Sequence, residues 1–493
     1  MFAEINNKSQ FNTLSESDLK TIYQRALNIL EKTGVKFHCR QALDILHDTS
    51  RVEVDYSKQT ARFSPAVVQD SIEKAPERIK MYNREGEEAL TVGGEEVNFV
   101  PGSAALKILT SRGGNVREAG SKDLEKISVV TDALKNIKLQ STSVVLKDVP
   151  EVISDFSRLY ILLHNSDKPI VTGAFSRQGI TNMQKILQAA ADGEEELRNK
   201  PLAIFDICAS PPLKWSEISC YNIIDCARYG LPLELISLPM PGVASPVTLA
   251  GSVLFHTVEV LSGLVLAQTV NPGLPVIYGG APVNFDMKTG TTPMSAVEAA
   301  MIGASTAQMG KYFSLPTHTF ACLSDAKLVD MQAGLETSMS GTIALLSGVN
   351  IIAGPGILDD VNCFSLEKLV IDNDICGMAL RLKRGVEVSE EKLAENLIAE
   401  KGPGGEDYLT DEHTLRWYQE ESYYPSEVID RKTRDTWEKS GKKDIYERAS
   451  DKVENILAGH DPSEINQQKQ EQLAETLQKI KREMDINQEL VIE

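Results

Sequence analysis

A (β/α)8 barrel, with an α+β segment before it and a helical extension after it, is the fold this chain predicts. Short apolar runs recur at Val97–Val100, Leu139–Val145, Pro169–Thr172, Leu202–Ile207, Leu233–Leu238, Pro275–Tyr278, Phe313–Thr317 and Val349–Ala353. Their starts lie roughly thirty to forty residues apart, the size of a βαβ unit. The runs are continuously apolar, as parallel strands covered on both faces are. Helix-like segments such as SKDLEKISVVTDALKN, EVISDFSRLYILLHN and SVLFHTVEVLSGLVLAQTV fill the intervals. Eight such units close into a barrel. An open doubly wound sheet is the alternative, but VPGSAALKI is no G-x-G-x-x-G turn, so a dinucleotide site has little support.

Residues 1–95 read as a small α+β cap. Ser15 is a plausible N-cap for a helix with apolar spacing at Leu19, Ile22, Leu27 and Leu30. A second helix is expected over Arg40–His47 and a third over Pro65–Lys74. Hairpins are expected in VEVDYSKQTARFS and IKMYNREGEEALTVGG. The barrel then occupies 96–385. Residues 386–493 form a helical extension broken by a Gly/Pro turn, and its Gln-, Glu- and Lys-rich end reads as a packing arm or a homo-oligomer contact.

The chain has 493 residues, 42% of them hydrophobic, enough for a large core. Asp and Glu outnumber Lys and Arg by 70 to 51, a net charge of −19. Such a polyanion argues against nucleic-acid or anionic-membrane partners and leans weakly toward cationic ligands. MFAEINNKSQ lacks a basic run leading into an apolar one, and no uninterrupted apolar window reaches spanning length. Seven scattered cysteines form no C-x-x-C pair. A cytoplasmic enzyme is the expectation.

In a barrel, function belongs to the loops after the strands. Here those loops are long and rich in Gly, Pro and small polar residues at 208–216, 239–248, 279–295, 318–330 and 354–365. The stretch FSLPTHTFACLSDAKLVDMQAGLE gathers His318, Asp325, Lys327, Asp330 and Gln332. His318, Asp325 and Gln332 are its candidate catalytic residues. Phe175, Trp215, Tyr278, Phe285, Phe320 and Phe364 all fall near predicted strand ends. Aromatic faces around one pocket would suit a quaternary ammonium, although each could equally plug the barrel mouth. Asp206, Asp286 and Asp325 would add negative potential there, or cap the helices that follow.

Other chemistries find less. His318, Cys322 and Asp325 make a conceivable zinc trio, but only one histidine contributes, so no metal is expected. His256, inside an apolar helix, reads as a core residue. No G-x-S-x-G elbow is present, and Gly354–Gly356 reads equally as a phosphate loop or a tight strand exit.

Three segments resemble one family. They are IYGGAPVNFDMKTG (277–290), SDAKLVDMQAGLE (324–336), and a set comprising LVIDNDICG (369–377), RGVEVSEE, GPGGEDYLTDEHTLRWYQEE (402–421) and IDRKTRDTWEKSGKKDIYERA. The chain resembles the trimethylamine methyltransferase family of corrinoid-dependent enzymes over nearly its whole length. That resemblance implies a (β/α)8 barrel that passes a methyl group from an amine to the cobalt of a separate corrinoid protein. Cobalamin then arrives on the partner, and no cofactor is tightly bound.

Founding members carry pyrrolysine after a Gln. The matching pair here is Gln332–Ala333, so Ala333 stands at the pyrrolysine position. Its absence implies the branch acting on quaternary amines such as glycine betaine, proline betaine and carnitine. The implied pocket residues are Phe175, Asp206, Tyr278, Phe285, Phe320 and Phe364. Lys288, Lys327 and His318, or backbone N–H groups, would receive a carboxylate. Rival readings are a metal-dependent barrel lyase or hydrolase and a non-catalytic binder of quaternary ammonium compounds.

Overall fold

The structure is a computed structural model that describes residues 10–460, 467–484 and 486. Eight parallel strands form one sheet: β1 Asn98–Val100, β2 Gln140–Ser141, β3 Ile170–Thr172, β4 Ala203–Cys208, β5 Leu233–Ser237, β6 Val276–Gly280, β7 Thr317–Phe320 and β8 Ile351–Ala353. From β2 to β8 each pairs with the next in sequence, and β8 pairs with β1, so that β1 and β2 are the two edges of the sheet. Lys138 N donates to Phe99 O at 3.0 Å beside a bridge from Phe99 to Ile137, which all but completes the cylinder. One helix follows each strand: α1 Ser121–Ala133, α2 Glu151–Asn165, α3 Gly179–Ala190, α4 Glu217–Tyr229, α5 Leu249–Val270, α6 Val297–Tyr312, α7 Met331–Leu346 and α8 Leu366–Arg384. The expected (β/α)8 class holds.

One strand lies elsewhere than expected. Phe313–Thr317 is not β7, which begins at Thr317. Phe313 caps α6, Ser314 has φ 57°, and Pro316 offers no N–H to a ladder. The apolar residues of that run pack as a turn, with Phe313 against Tyr278 at 5.8 Å between ring centres.

Strand alternation decides what faces the interior. Ile204 and Asp206 on β4, Glu234 and Ile236 on β5, Ile277 and Gly279 on β6, and His318 and Phe320 on β7 share the inner face, as their registers require. The N-terminal end is filled with hydrocarbon. Val100, Leu139, Val171, Ile204, Ile277 and Ile351 cluster with Ile79, Met81 and Val92 of the hairpin Arg78–Tyr82/Glu88–Gly93. This hairpin plugs the barrel bottom. Tyr82 N donates to Pro201 O at 3.0 Å just before β4, and Asn98 Nδ2 donates to Thr91 O at 3.0 Å.

The rest of the N-terminal segment flanks the barrel. Helix Glu16–Lys32 starts at Ser15 with a capping box, and it packs with Arg40–His47 and Pro65–Lys74 against α5. That helix is apolar on all sides and long enough to cross a membrane. Its residues from Val258 to Gln268 are buried between β5, α4, α6 and this layer. Strand Val35–Phe37 pairs with Lys214–Trp215 from the loop after β4, which stitches the segment into the barrel. At the other end, Gln467–Glu483 packs on α3 through Leu473, Leu477 and Ile480, as a packing arm should.

Candidate functional site

The loops after the strands meet over one cavity of about 570 Å³ at the C-terminal mouth. Ser103 and Ala104 follow β1, and Thr142 follows β2. Phe175 follows β3, Ser219 and Asn222 lie on α4, Met240 follows β5, Ala281 and Met294 follow β6, and Asp360 and Val361 follow β8. Phe320 and Asp206 rise from the barrel interior. The volume is that of a small-molecule site, mainly apolar with a few convergent polar groups.

Asp206, Glu234 and His318 are packed inside the barrel beneath this space. Asp206 and Glu234 are register partners on adjacent strands, so both carboxyls point inward side by side. Glu234 Oε2 lies 3.4 Å from His318 Nδ1, at the edge of hydrogen-bonding reach. Neither Glu234 oxygen, neither His318 nitrogen, nor Asp206 Oδ1 has a well-formed hydrogen bond. Burial pushes the His318 imidazole down to about 3, so the ring is neutral. Burial holds Glu234 well above the usual carboxylate range, and the adjacent Asp206 adds to the effect. Burial lifts Asp206 to about 7, partly offset by the neighbouring Glu234 carboxyl. Two such carboxyls share one proton, leaving at most one negative charge at neutral pH.

One wall is cationic. Arg158 reaches the cavity from α2, with its side chain 1% exposed. Its guanidinium lies 4.9 Å from the centre of the Phe175 ring. Opposite, the loop after β8 is strained: Asp359, Asp360 and Val361 have φ of 53°, 53° and 65°. Left-handed backbone is unfavourable for a β-branched residue. It is held by Asp359 N to Ala326 O at 3.0 Å and by Thr292 Oγ1 to Asp360 at 2.8 Å, and it delivers Asp360 and Val361 to the cavity.

The structure sorts the sequence candidates. Phe175, Asp206 and Phe320 line the cavity, and His318 lies beneath it, with its ring edge-on to Phe320 at 5.2 Å. Tyr278 does not line it. On β6 the inward positions are Ile277 and Gly279, so Tyr278 faces α5 and donates to Thr257 at 2.9 Å. Phe364 is fully buried against Gly356, Trp215 is buried and donates to Ser262 at 2.9 Å, and Phe285 lies outside the cavity lining.

Lys288 is exposed on its loop, and Lys327 is exposed and paired with Asp359 at 3.0 Å; neither lines the cavity. Asp325 accepts from Met294 N at 3.2 Å and Ser295 N at 3.0 Å, tying the loops after β6 and β7 together. Gln332 is exposed and bonds Glu336 at 2.9 Å. Ala333 is buried in the first turn of α7 against Leu109, Ala326, Leu358 and Cys363, outside the cavity lining. The zinc trio is scattered. Cys322 faces Cys376, with their sulfurs 3.8 Å apart, and among the described residues no three such groups are placed to share an ion. His256 is the satisfied core residue expected, 2.8 Å from Gly279 O. In the Gly354–Gly356 turn the amides are already used: Gly354 N donates to Val100 O at 3.2 Å and Gly356 N to Asp372 at 2.8 Å.

Arg158, Glu234 and Asp360 were not among the candidates. Glu234 had a signal, a carboxylate amid leucines in LELIS. Arg158 had none, because an arginine on a helix ordinarily faces water.

The model of the family described as trimethylamine methyltransferase matches residues 2–485. The chain belongs to the trimethylamine methyltransferase family. Among its relatives are the trimethylamine methyltransferase of Methanosarcina barkeri (strain Fusaro), 32% identical and covering 93% of each chain. The glycine betaine methyltransferase of Desulfitobacterium hafniense (strain Y51) is 30% identical over 93% of this chain and 94% of its own. The trimethylamine methyltransferase of Desulfitobacterium hafniense (strain DSM 10664) is 29% identical over 96% and 93%. The barrel resembles the monomethylamine methyltransferase of Methanosarcina barkeri with a TM-score of 0.54, covering 91% of this chain and 89% of that one at 11% identity.

Proposed function

We propose that the protein moves a methyl group from a quaternary amine to the Co(I) of a separate corrinoid protein. Family membership supports methyl transfer. The observation that carries the choice of a quaternary cation is the cavity itself: two aromatic rings and an apolar lining stand over a buried carboxyl pair that can hold one negative charge. Phe175 and Phe320 offer ring faces to N-methyl groups, and Asp206 supplies the counter-charge.

The reaction breaks one N–CH3 bond, and its electron pair stays on nitrogen. A neutral tertiary amine leaves, so the transfer requires no general acid. The reduced corrinoid supplies the nucleophile for the methyl carbon. This chain's own tasks are to bind the cation, exclude water and aim one methyl outward. The mouth is also dressed for a partner. Phe175, Val243, Val247, Met287 and Met331, on loops and helix starts around it, are exposed, Met287 by 81% and Met331 by 89%. Such an apolar rim is a docking face.

Full-length protein mixed with cob(I)alamin and trimethylamine, tetramethylammonium, choline, glycine betaine or carnitine tests the proposal. Consumption of the Co(I) absorbance with a quaternary amine is expected. No change with any of them would reject it.

A further inference from the structure

We infer that the chain pairs with a second copy of itself, flank to flank and antiparallel, an acidic segment at 386–421 of each copy docking on a basic segment at 431–443 of the other. The acidic segment has no core of its own. Its helices, Glu390–Leu393, Glu395–Lys401 and Glu412–Glu421, are 4, 7 and 10 residues long, and none contains a buried residue. Helices so short are marginal in water unless something packs on them.

Ion pairs hold these helices to one another: Lys392 with Glu387 at 2.7 Å and Glu421 at 2.9 Å, and Lys401 with Asp411 at 2.9 Å. Their apolar side chains are left outside. Eleven of the 26 large apolar side chains exposed among the described residues fall between 378 and 424, Val386 by 80% and Leu409 by 73%. A patch of this kind marks an interface, and it is on the order of the 800 Å² that each partner of a stable dimer covers.

A corrinoid partner is the wrong occupant, because it must meet the cavity at the C-terminal mouth. The acidic segment leaves the other end of the barrel. There Arg381 donates to Glu421 O at 2.8 Å, Lys383 donates to Glu95 O just before β1, and an open cleft is lined by Val97, Asn136 and Tyr423.

Charge points to a second copy. Acidic residues outnumber basic ones by eleven to three between 386 and 421, and basic outnumber acidic by six to two between 431 and 443. The basic segment is exposed except at Trp437, and its ion pairs are local: Arg434 and Lys442 with Glu438 at 3.0 and 3.7 Å, and Lys443 with Asp451. The two segments of one chain lie at opposite ends of one flank. The acidic one leaves the C-terminal end of α8. Just past the basic one, Asp444 pairs with Arg112 in a hairpin that follows β1, and Tyr446 hydrogen-bonds Glu367 in the first turn of α8. The 19 residues of α8 set these anchors about 28 Å apart. Two antiparallel flanks bring each acidic segment onto the other copy's basic one, the self-complementary contact of a twofold dimer. Both mouths stay open.

Sedimentation of the full-length protein at low salt tests the inference. Particles holding an even number of 54.2 kDa copies are expected, loosened by high salt. Glu406→Lys with Asp407→Lys, or Lys439→Glu with Lys442→Glu, should weaken self-association at least about tenfold, the low end for close interfacial charge pairs. Joining both pairs in one chain should restore it, which damage to folding would not do. Leu409→Asp with Leu415→Asp should weaken it through the apolar part, with calorimetric binding of glycine betaine unchanged. A monomeric wild type, an odd-numbered particle, an oligomer that none of these pairs disturbs, or a charge swap that fails to restore assembly would overturn the inference. So would a monomeric chain that captures a corrinoid protein through the acidic segment. The readout is particle mass, so it stands whether or not methyl transfer is found.

Discussion

At one end of the barrel, Ile79, Met81 and Val92 of the hairpin meet Val100, Leu139 and Ile351 in a dry, filled cylinder. At the other end the same strands present Asp206, Glu234 and His318, with hydrogen-bonding atoms left unmatched. The first end is filled with hydrocarbon. The second accepts the cost of burying polar groups. The contrast separates what holds the fold from what serves a ligand, since burial alone would favour hydrocarbon throughout.

The comparison breaks most sharply by substitution. Met81→Ala at the filled end should lower unfolding stability by about 2–5 kcal/mol, read by urea titration, with KM little changed. Asp206→Asn at the open end should behave in the opposite way. Affinity for the cationic substrate should fall about 10–100-fold in calorimetry, the order of one partly screened charge–charge attraction, while thermal stability holds or rises because a buried charge is removed.

Proton linkage sharpens the same contrast. Asp206 has its carboxyl raised to about 7, so it is mainly protonated below that value. Cation affinity should weaken as pH falls below about 7, by up to about tenfold per unit, and Asp206→Asn should flatten the profile. Stability runs the other way. Because the folded protein holds this proton more tightly than the unfolded chain, the contribution is present below the ordinary carboxylate range and is lost as pH rises through about 7. The smallest effect expected is at the rim. Met287→Ser with Met331→Ser should slow transfer to a corrinoid protein a few-fold while leaving glycine betaine binding intact, by calorimetry.

Much of the fold was legible. Seven of the eight strands begin within two residues of the apolar runs that announce them, and both N-terminal hairpins and all three N-terminal helices lie where patterning put them. The exception, Phe313–Thr317, failed because a proline and a left-handed serine forbid the ladder that its apolar content suggested. The site was legible in outline only. Loop composition pointed to the end of the barrel that carries the cavity, and three of the pocket candidates, Phe175, Asp206 and Phe320, line it.

The sequence by itself determined the eightfold repeat, the end of the cylinder that carries the cavity, and the family. Periodicity and turn chemistry are local, and they survive in one dimension. Tertiary structure alone decided which side chains meet. These strands are covered on both faces, so apolar content carries no inside-or-outside mark. Tyr278 faces a helix, Glu234 the interior, and Arg158 crosses a wall that exists only once α2 is docked.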